Sequence, residues 1–239
     1  MRARAWLFLL LLLAACAPRP AGKAPVLLVP GGRVVGAWAE LDGGFPLPGP
    51  PLLADRAGPR LYLAYPYELD VLEDGEPVAT YDLPGVPRFL HARPEPVVGT
   101  PEGVFAPAGG FAPYPARDAR RKDGRLYWTD GDAYRDDERL FSGGFRQVVA
   151  DRERVAFLGE EARFLDGARF PLPPFLKGEL LENLYLLTEE GVLAYSPSGL
   201  ELARVKGRFL DLAVDESGVY LLLPTGEVLA LDLDLEVRR

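Results

Sequence analysis

Residues 184–205 read LYLLTEEGVLAYSPSGLELARV, and residues 219–239 read VYLLLPTGEVLALDLDLEVRR. Each is a short apolar strand, a polar turn bearing glycine, a second strand, another turn and a third strand. The same cadence runs back along the chain, with units opening at Val26, Leu61, Val97, Leu126, Val155, Leu184 and Val219. The spacings are 35, 36, 29, 29, 29 and 35 residues. A unit of this size cannot bury both faces of its own sheet, so successive units must stack face to face.

Several units carry a leading strand that ends on Asp: Leu52-Leu53-Ala54-Asp55, Val148-Val149-Ala150-Asp151 and Leu212-Ala213-Val214-Asp215. An Asp there bonds turn amides two residues on and stops one strand before the next begins. Four short strands per unit predict an all-β fold, a β-propeller of about seven short blades over residues 26–239, with six as the other count. A large β-sandwich is the rival architecture. The units opening at Val97 and Leu126 depart most from the pattern; the first is rich in Pro and Gly, and a charged stretch, ARDARRKD, precedes the second. The first unit has little room for a leading strand. It is expected to have three strands, or to be completed by the C-terminal LEVRR, which would close the ring and remove an open edge. Phe175 to Leu187 places Leu176, Leu180, Leu184 and Leu187 at helical spacing, but Gly178 and the repeat register favour strand.

The start of the chain has a different character. Arg2 and Arg4 precede an apolar run of 11 residues, Ala5 to Ala15, which is too short to span a bilayer and suits a signal peptide. It ends in Leu13-Ala14-Ala15-Cys16, which resembles the bacterial lipobox. That resemblance implies cleavage between Ala15 and Cys16, with acylation of Cys16. Residues 1–15 are then a lipoprotein signal peptide, and 16–25 hold the lipidated cysteine and a flexible Pro/Gly tether. The implied partner is a membrane, gripped by acyl chains at about 0.8 kcal/mol per buried methylene. Ala17 in place of Asp leans toward the outer membrane, facing the periplasm or the cell surface. Cys16 is the sole cysteine, so the fold is held without a disulfide.

Charge narrows the partners. The formal net charge is −8, and losing Arg2 and Arg4 takes it to −10, which argues against nucleic acid. The 23 Arg against 4 Lys, with single Asn, Gln and Met residues, suit a thermophilic host.

The segment Asp211 to Asp232, DLAVDESGVYLLLPTGEVLALD, resembles a blade of the NHL and SMP-30-like propeller families. SMP-30-like enzymes hydrolyse sugar lactones with a metal held by Glu, Asn and Asp at the central channel. The resemblance therefore makes Asn183, the only asparagine, a possible axial ligand. The densest acidic run, with Asp130, Asp132 and Asp136, is a candidate for a hard cation, and a solvated hairpin tip is its simpler reading. His91, the only histidine, reads as a turn or rim residue. The four serines, Ser142, Ser196, Ser198 and Ser217, read as turn formers. No catalytic residue, cofactor or ligand site is assigned. The expected function is a non-catalytic protein-binding or assembly scaffold in the bacterial envelope, with a protein partner there. The alternatives are a small-ligand sensor or carrier and a metal-dependent lactone hydrolase.

Overall fold

The structure, a computed structural model, describes residues 24–41 and 43–238. The signal and most of the tether, Ala15 and Cys16 included, lie outside the described residues. The strands form seven antiparallel sheets, each a meander of neighbours in sequence. We number them blades 1 to 7: residues 26–46, 53–82, 89–112, 118–141, 147–171, 177–206 and 211–231. The first six have four strands and the seventh has three, with an isolated bridge from Leu231 to Val237 beside it. This is a seven-bladed β-propeller, and the sandwich alternative falls.

Stacking is visible in the core, which divides into seven apolar clusters, one for each junction between neighbouring blades. Phe164 and Phe170 of blade 5 pack on Leu184 and Leu186 of blade 6. Tyr185 and Leu187, on the opposite face of that same blade 6 strand, pack on Leu212 and Val214 of blade 7. Period-two alternation thus feeds two different junctions from one strand, which is why the apolar runs are nearly continuous.

Two expectations at the ring's seam are corrected. Val26 opens the innermost strand of its blade, Val26–Val29, whereas the other six unit starts lie in second strands. Blade 1 therefore has four strands of its own. The tail LEVRR does not cross to it, because Val237 pairs with Leu231 of blade 7. The ring closes instead through side chains: Leu28 of blade 1 packs on Ala213, Tyr220 and Leu222. The segment with helical leucine spacing is two strands, Lys177–Leu181 and Asn183–Thr188. They turn at Glu182, whose φ is +53°.

Turn chemistry follows expectation at two of the three aspartates. Asp151 Oδ1 accepts from the amides of Glu153 and Arg154, and Asp215 Oδ1 from those of Ser217 and Gly218. Asp55 does something else, described below. A further turn recurs in blades 3 and 6, where the hydroxyls of Thr100 and Thr188 donate to the carbonyls of Gly103 and Gly191. Gly191 has φ of +150°, and a Cβ built there would lie 2.0 Å from the Val205 carbonyl oxygen. Gly191→Ala is expected to cost at least about 1–3 kcal/mol from the backbone conformation alone. An unchanged urea midpoint would refute that strain.

Candidate functional site: the axis of the ring

The inner strands run beside the axis, and four of them open on a polar or charged residue: Asp118, Gln147, Lys177 and Asp211. A second tier lies two residues into the inner strands, with Asp55, His91, Arg120 and Glu179. The charged stretch that broke the repeat pattern before blade 4 is such an inner strand, Asp118–Lys122. A cavity of about 190 Å³ runs through this region, lined in part by Asp55, His91, Arg93, Lys177, Glu179 and Asp211.

These groups are tied to one another across blades. His91 Nε2 lies 2.6 Å from Asp118 Oδ1, and Asp118 Oδ2 accepts from the Val148 amide at 2.8 Å. One carboxyl thus joins blades 3, 4 and 5. Arg120 donates to Glu179 Oε2 at 3.3 Å, linking blade 4 to blade 6. Lys177 donates to Asp211 Oδ1 at 2.8 Å and sits 3.7 Å from Glu179 Oε1. Gln147 accepts from the Gly178 amide and donates to its carbonyl. Asp55 Oδ2 accepts from the Ala92 amide at 2.7 Å, so this aspartate joins blade 2 to blade 3 instead of capping a turn. Arg93 donates to the Val214 carbonyl in blade 7.

Burial dominates the electrostatics. It pushes the Asp118 carboxyl up to about 8, with Glu179 adding to the rise, against the Val148 and Ala119 amides and Lys177. Asp55 is also raised, first by burial and then by Glu179. Arg120 is lowered by burial, with Glu179 and Asp55 opposing. Burial pulls Lys177 down, but Asp211 and Glu179 outweigh it and the net shift is upward. Nη1 of Arg120 and Nε of Arg93 are buried without an acceptor in the protein.

The residues singled out in the sequence fall elsewhere. Asp130 and Asp132 sit in the turn before the third strand of blade 4, and Asp136 in the turn after it, so they are at opposite ends of Ala133–Arg135. Asp132 pairs with Arg139 and Asp136 with Arg125. The structure does not bring them together, and among the described residues no three His, Cys, Asp or Glu side chains are grouped to hold a metal. Asn183 follows the tight turn at Glu182 and does not line the axial cavity. Beside the acidic turn at Asp130, the aromatic stack of Trp128 between Tyr114 and Tyr134, at ring separations of 4.9 and 4.1 Å, is core of the junction of blades 3 and 4. His91 is not a rim residue; it lies on the inner strand Phe89–His91. Sequence reasoning missed the axial set. A signal was present: Phe145-Arg146-Gln147, Phe175-Leu176-Lys177 and Phe209-Leu210-Asp211 repeat one pattern, a buried aromatic, an exposed residue, then the polar residue that opens the inner strand.

No protein-family model matches this chain, and no curated protein does. Solved structures do. PorZ, an essential bacterial surface component of the type-IX secretion system of Porphyromonas gingivalis, aligns with a TM-score of 0.64 at 12% identity. That alignment covers 91% of this chain and 38% of that one. BBS1N in complex with ARL6DN aligns at 0.57 and 15% identity, over 87% of this chain and 90% of that one. Kluyveromyces lactis Hsv2 aligns at 0.53 and 10% identity, over 83% and 87%. At such identities the likeness is one of fold alone, and it is the propeller fold that the seven sheets build.

Proposed function

We propose that this chain is a non-catalytic protein-binding propeller, lipid-anchored through Cys16 in the envelope of a bacterium, on the outer membrane. The observation that carries the reading is the state of the axis. Its carboxylates are engaged with Arg120, Lys177, His91 or backbone amides, so they pin blades to one another. What remains for recognition is the pair of rigid loop-bearing faces of the disc. The propeller of the BBS1N structure holds a protein, and PorZ is a surface component; both fit a scaffold role. The blade resemblance of Asp211–Asp232 to NHL and SMP-30-like proteins, and a thermophilic host, belong to the same proposal.

For the small-ligand alternative, the axial cavity of about 190 Å³ falls below the roughly 300–1,000 Å³ of drug-sized pockets, and a space that reaches this range is the cavity of about 340 Å³ at the opposite mouth, where the inner strands end, lined in part by Arg93, Asp151 and Glu216. The lactonase alternative loses its proposed ligand, because Asn183 stands off the axis. The deciding experiment is detergent solubilisation of the tagged full chain from its own envelope, beside Cys16→Ser, with co-purifying proteins identified by mass spectrometry. A near-stoichiometric protein held by the wild type and lost from the variant is expected. A wild-type chain that holds none refutes the scaffold.

A further inference from the structure

The residue before each of six inner strands occupies one equivalent place. Leu52, Arg88, Arg117, Arg146, Leu176 and Leu210 each donate their backbone amide to the last part of the second strand, at 2.7–2.9 Å. Each is exposed, and each follows a buried residue: Pro51, Pro87, Ala116, Phe145, Phe175 and Phe209. The six side chains therefore ring the axial mouth on one face of the disc. Around that ring the arginines are consecutive, on blades 3, 4 and 5. The leucines hold blades 6, 7 and 2, with exposures of 61%, 54% and 44%. One arc of the rim is cationic and the other apolar.

The arginines are uncommitted. Arg88, Arg117 and Arg146 are paired with no carboxylate among the described residues, although the chain as a whole carries a net charge of −8. Arg146 rests its guanidinium 4.6 Å from the Phe175 ring, where the cationic arc meets the apolar one. Acidic groups stand on the same face farther from the axis, in the turns from second to third strands, among them Glu102, Asp130, Asp132, Glu160, Glu189 and Glu190. The connectors bond these turns, as in Leu172 N–H to Glu160 O and Gly207 N–H to Glu190 O. Such a collar repels an extended polyanion or an anionic bilayer, and leaves the arginines to a short anionic group delivered at the centre.

We propose that this rim is the partner-binding surface, and that its occupant is a short protein segment combining carboxylates with apolar side chains. Its acids meet Arg88, Arg117 and Arg146, and its apolar residues cover Leu176, Leu210 and Leu52. Arginine is enriched among the residues that carry binding energy at interfaces, and covering the three exposed leucines beside it removes apolar area from water. The inference rests on the scaffold reading and adds to it the face and the chemistry of the partner.

The test pans a random twelve-residue peptide library on the full chain. Recovered peptides are expected to be enriched in Asp and Glu next to apolar residues. Their affinity should fall about tenfold for Arg88→Ser/Arg117→Ser/Arg146→Ser, from three exposed charge contacts, and fall also for Leu176→Ser/Leu210→Ser. Arg152→Ser, in a turn on the opposite face, should leave it unchanged. These substitutions are on the surface, and unchanged melting curves confirm that the variants fold. Recovered peptides without acidic enrichment, no recovered peptides, or equal affinity for the arginine variant overturn the proposal. Binding to vesicles with anionic headgroups that depends on the three arginines overturns it in favour of a lipid. In the envelope purification, a native partner retained by the arginine variant sinks the rim and spares the scaffold; no partner on the wild type sinks the scaffold itself.

Discussion

Glu179→Ala should destabilise the protein by about 3–5 kcal/mol, the usual loss when one member of a buried ion pair is removed. Glu179 is the counter-ion of Arg120, whose side chain is only 3% exposed and whose Nη1 already lacks an acceptor. Truncation leaves that guanidinium in a low-dielectric axis without its ion-pair partner, and Asp55 is the remaining carboxyl that offsets its charge. Lys177 loses one of its two carboxylate neighbours and keeps Asp211. Glu179→Gln should cost less, because an amide oxygen still accepts from Arg120. Replacing both partners, as in Arg120→Met/Glu179→Leu, should recover most of the loss, since neither charge of that pair is then left buried without its counterpart. Equilibrium unfolding in urea at fixed pH measures all three. If Glu179→Ala lies within about 1 kcal/mol of wild type, a buried charge is not what this carboxylate offsets, and the pinned axis is wrong.

The contrast between blade 4 and blade 7 shows how far the sequence could be read. Blade 7 announces itself: Leu212, Val214, Val219 and Leu221 alternate across a glycine turn, and all four bury in one junction. Such a pattern is local, because each strand pairs with its neighbour in sequence, so periodicity finds it. Blade 4 opens on Asp118-Ala119-Arg120-Arg121, which looks like surface by composition, yet Asp118 and Arg120 are buried. Their partners, His91 and Glu179, lie 27 and 59 residues away. A charge is buried there because another blade supplies its counterpart, and only closure of the ring sets that meeting. The seam failed for a related reason. Val26-Leu27-Leu28-Val29 is apolar enough to fill either an inner or a second strand, and what decided was its packing on Ala213 and Tyr220 of the last blade. The metal candidates failed through topology, since three intervening residues form a strand and send Asp132 and Asp136 to opposite ends of it.

The second large effect is a pH dependence that Asp118→Asn should remove. In the folded protein the Asp118 carboxyl is raised from 3.8 to about 8 by burial, so the native state prefers it protonated. The unfolded chain ionises the same group at an ordinary carboxylate value. Between these two values unfolding releases a proton, and stability falls as the pH rises. The contribution is fully present below the unfolded value and gone above about 8. Each unit of the interval is worth about 1.4 kcal/mol, and the side chain is too buried for solvent to screen much of it. An asparagine keeps the shape: its oxygen accepts from the Val148 amide and its amide group faces His91, so near pH 4 the variant should match wild type to within about 1 kcal/mol. From pH 4 to 8 the wild type should lose stability relative to the variant, and by pH 8 the variant should be the more stable protein. Taking the difference between the two proteins cancels the carboxylates they share. Parallel curves across that range would mean that Asp118 is ionised in the fold, held by His91 as a charged pair. The junction of blades 3, 4 and 5 would then rest on an ion pair, and the same substitution would destabilise it at every pH.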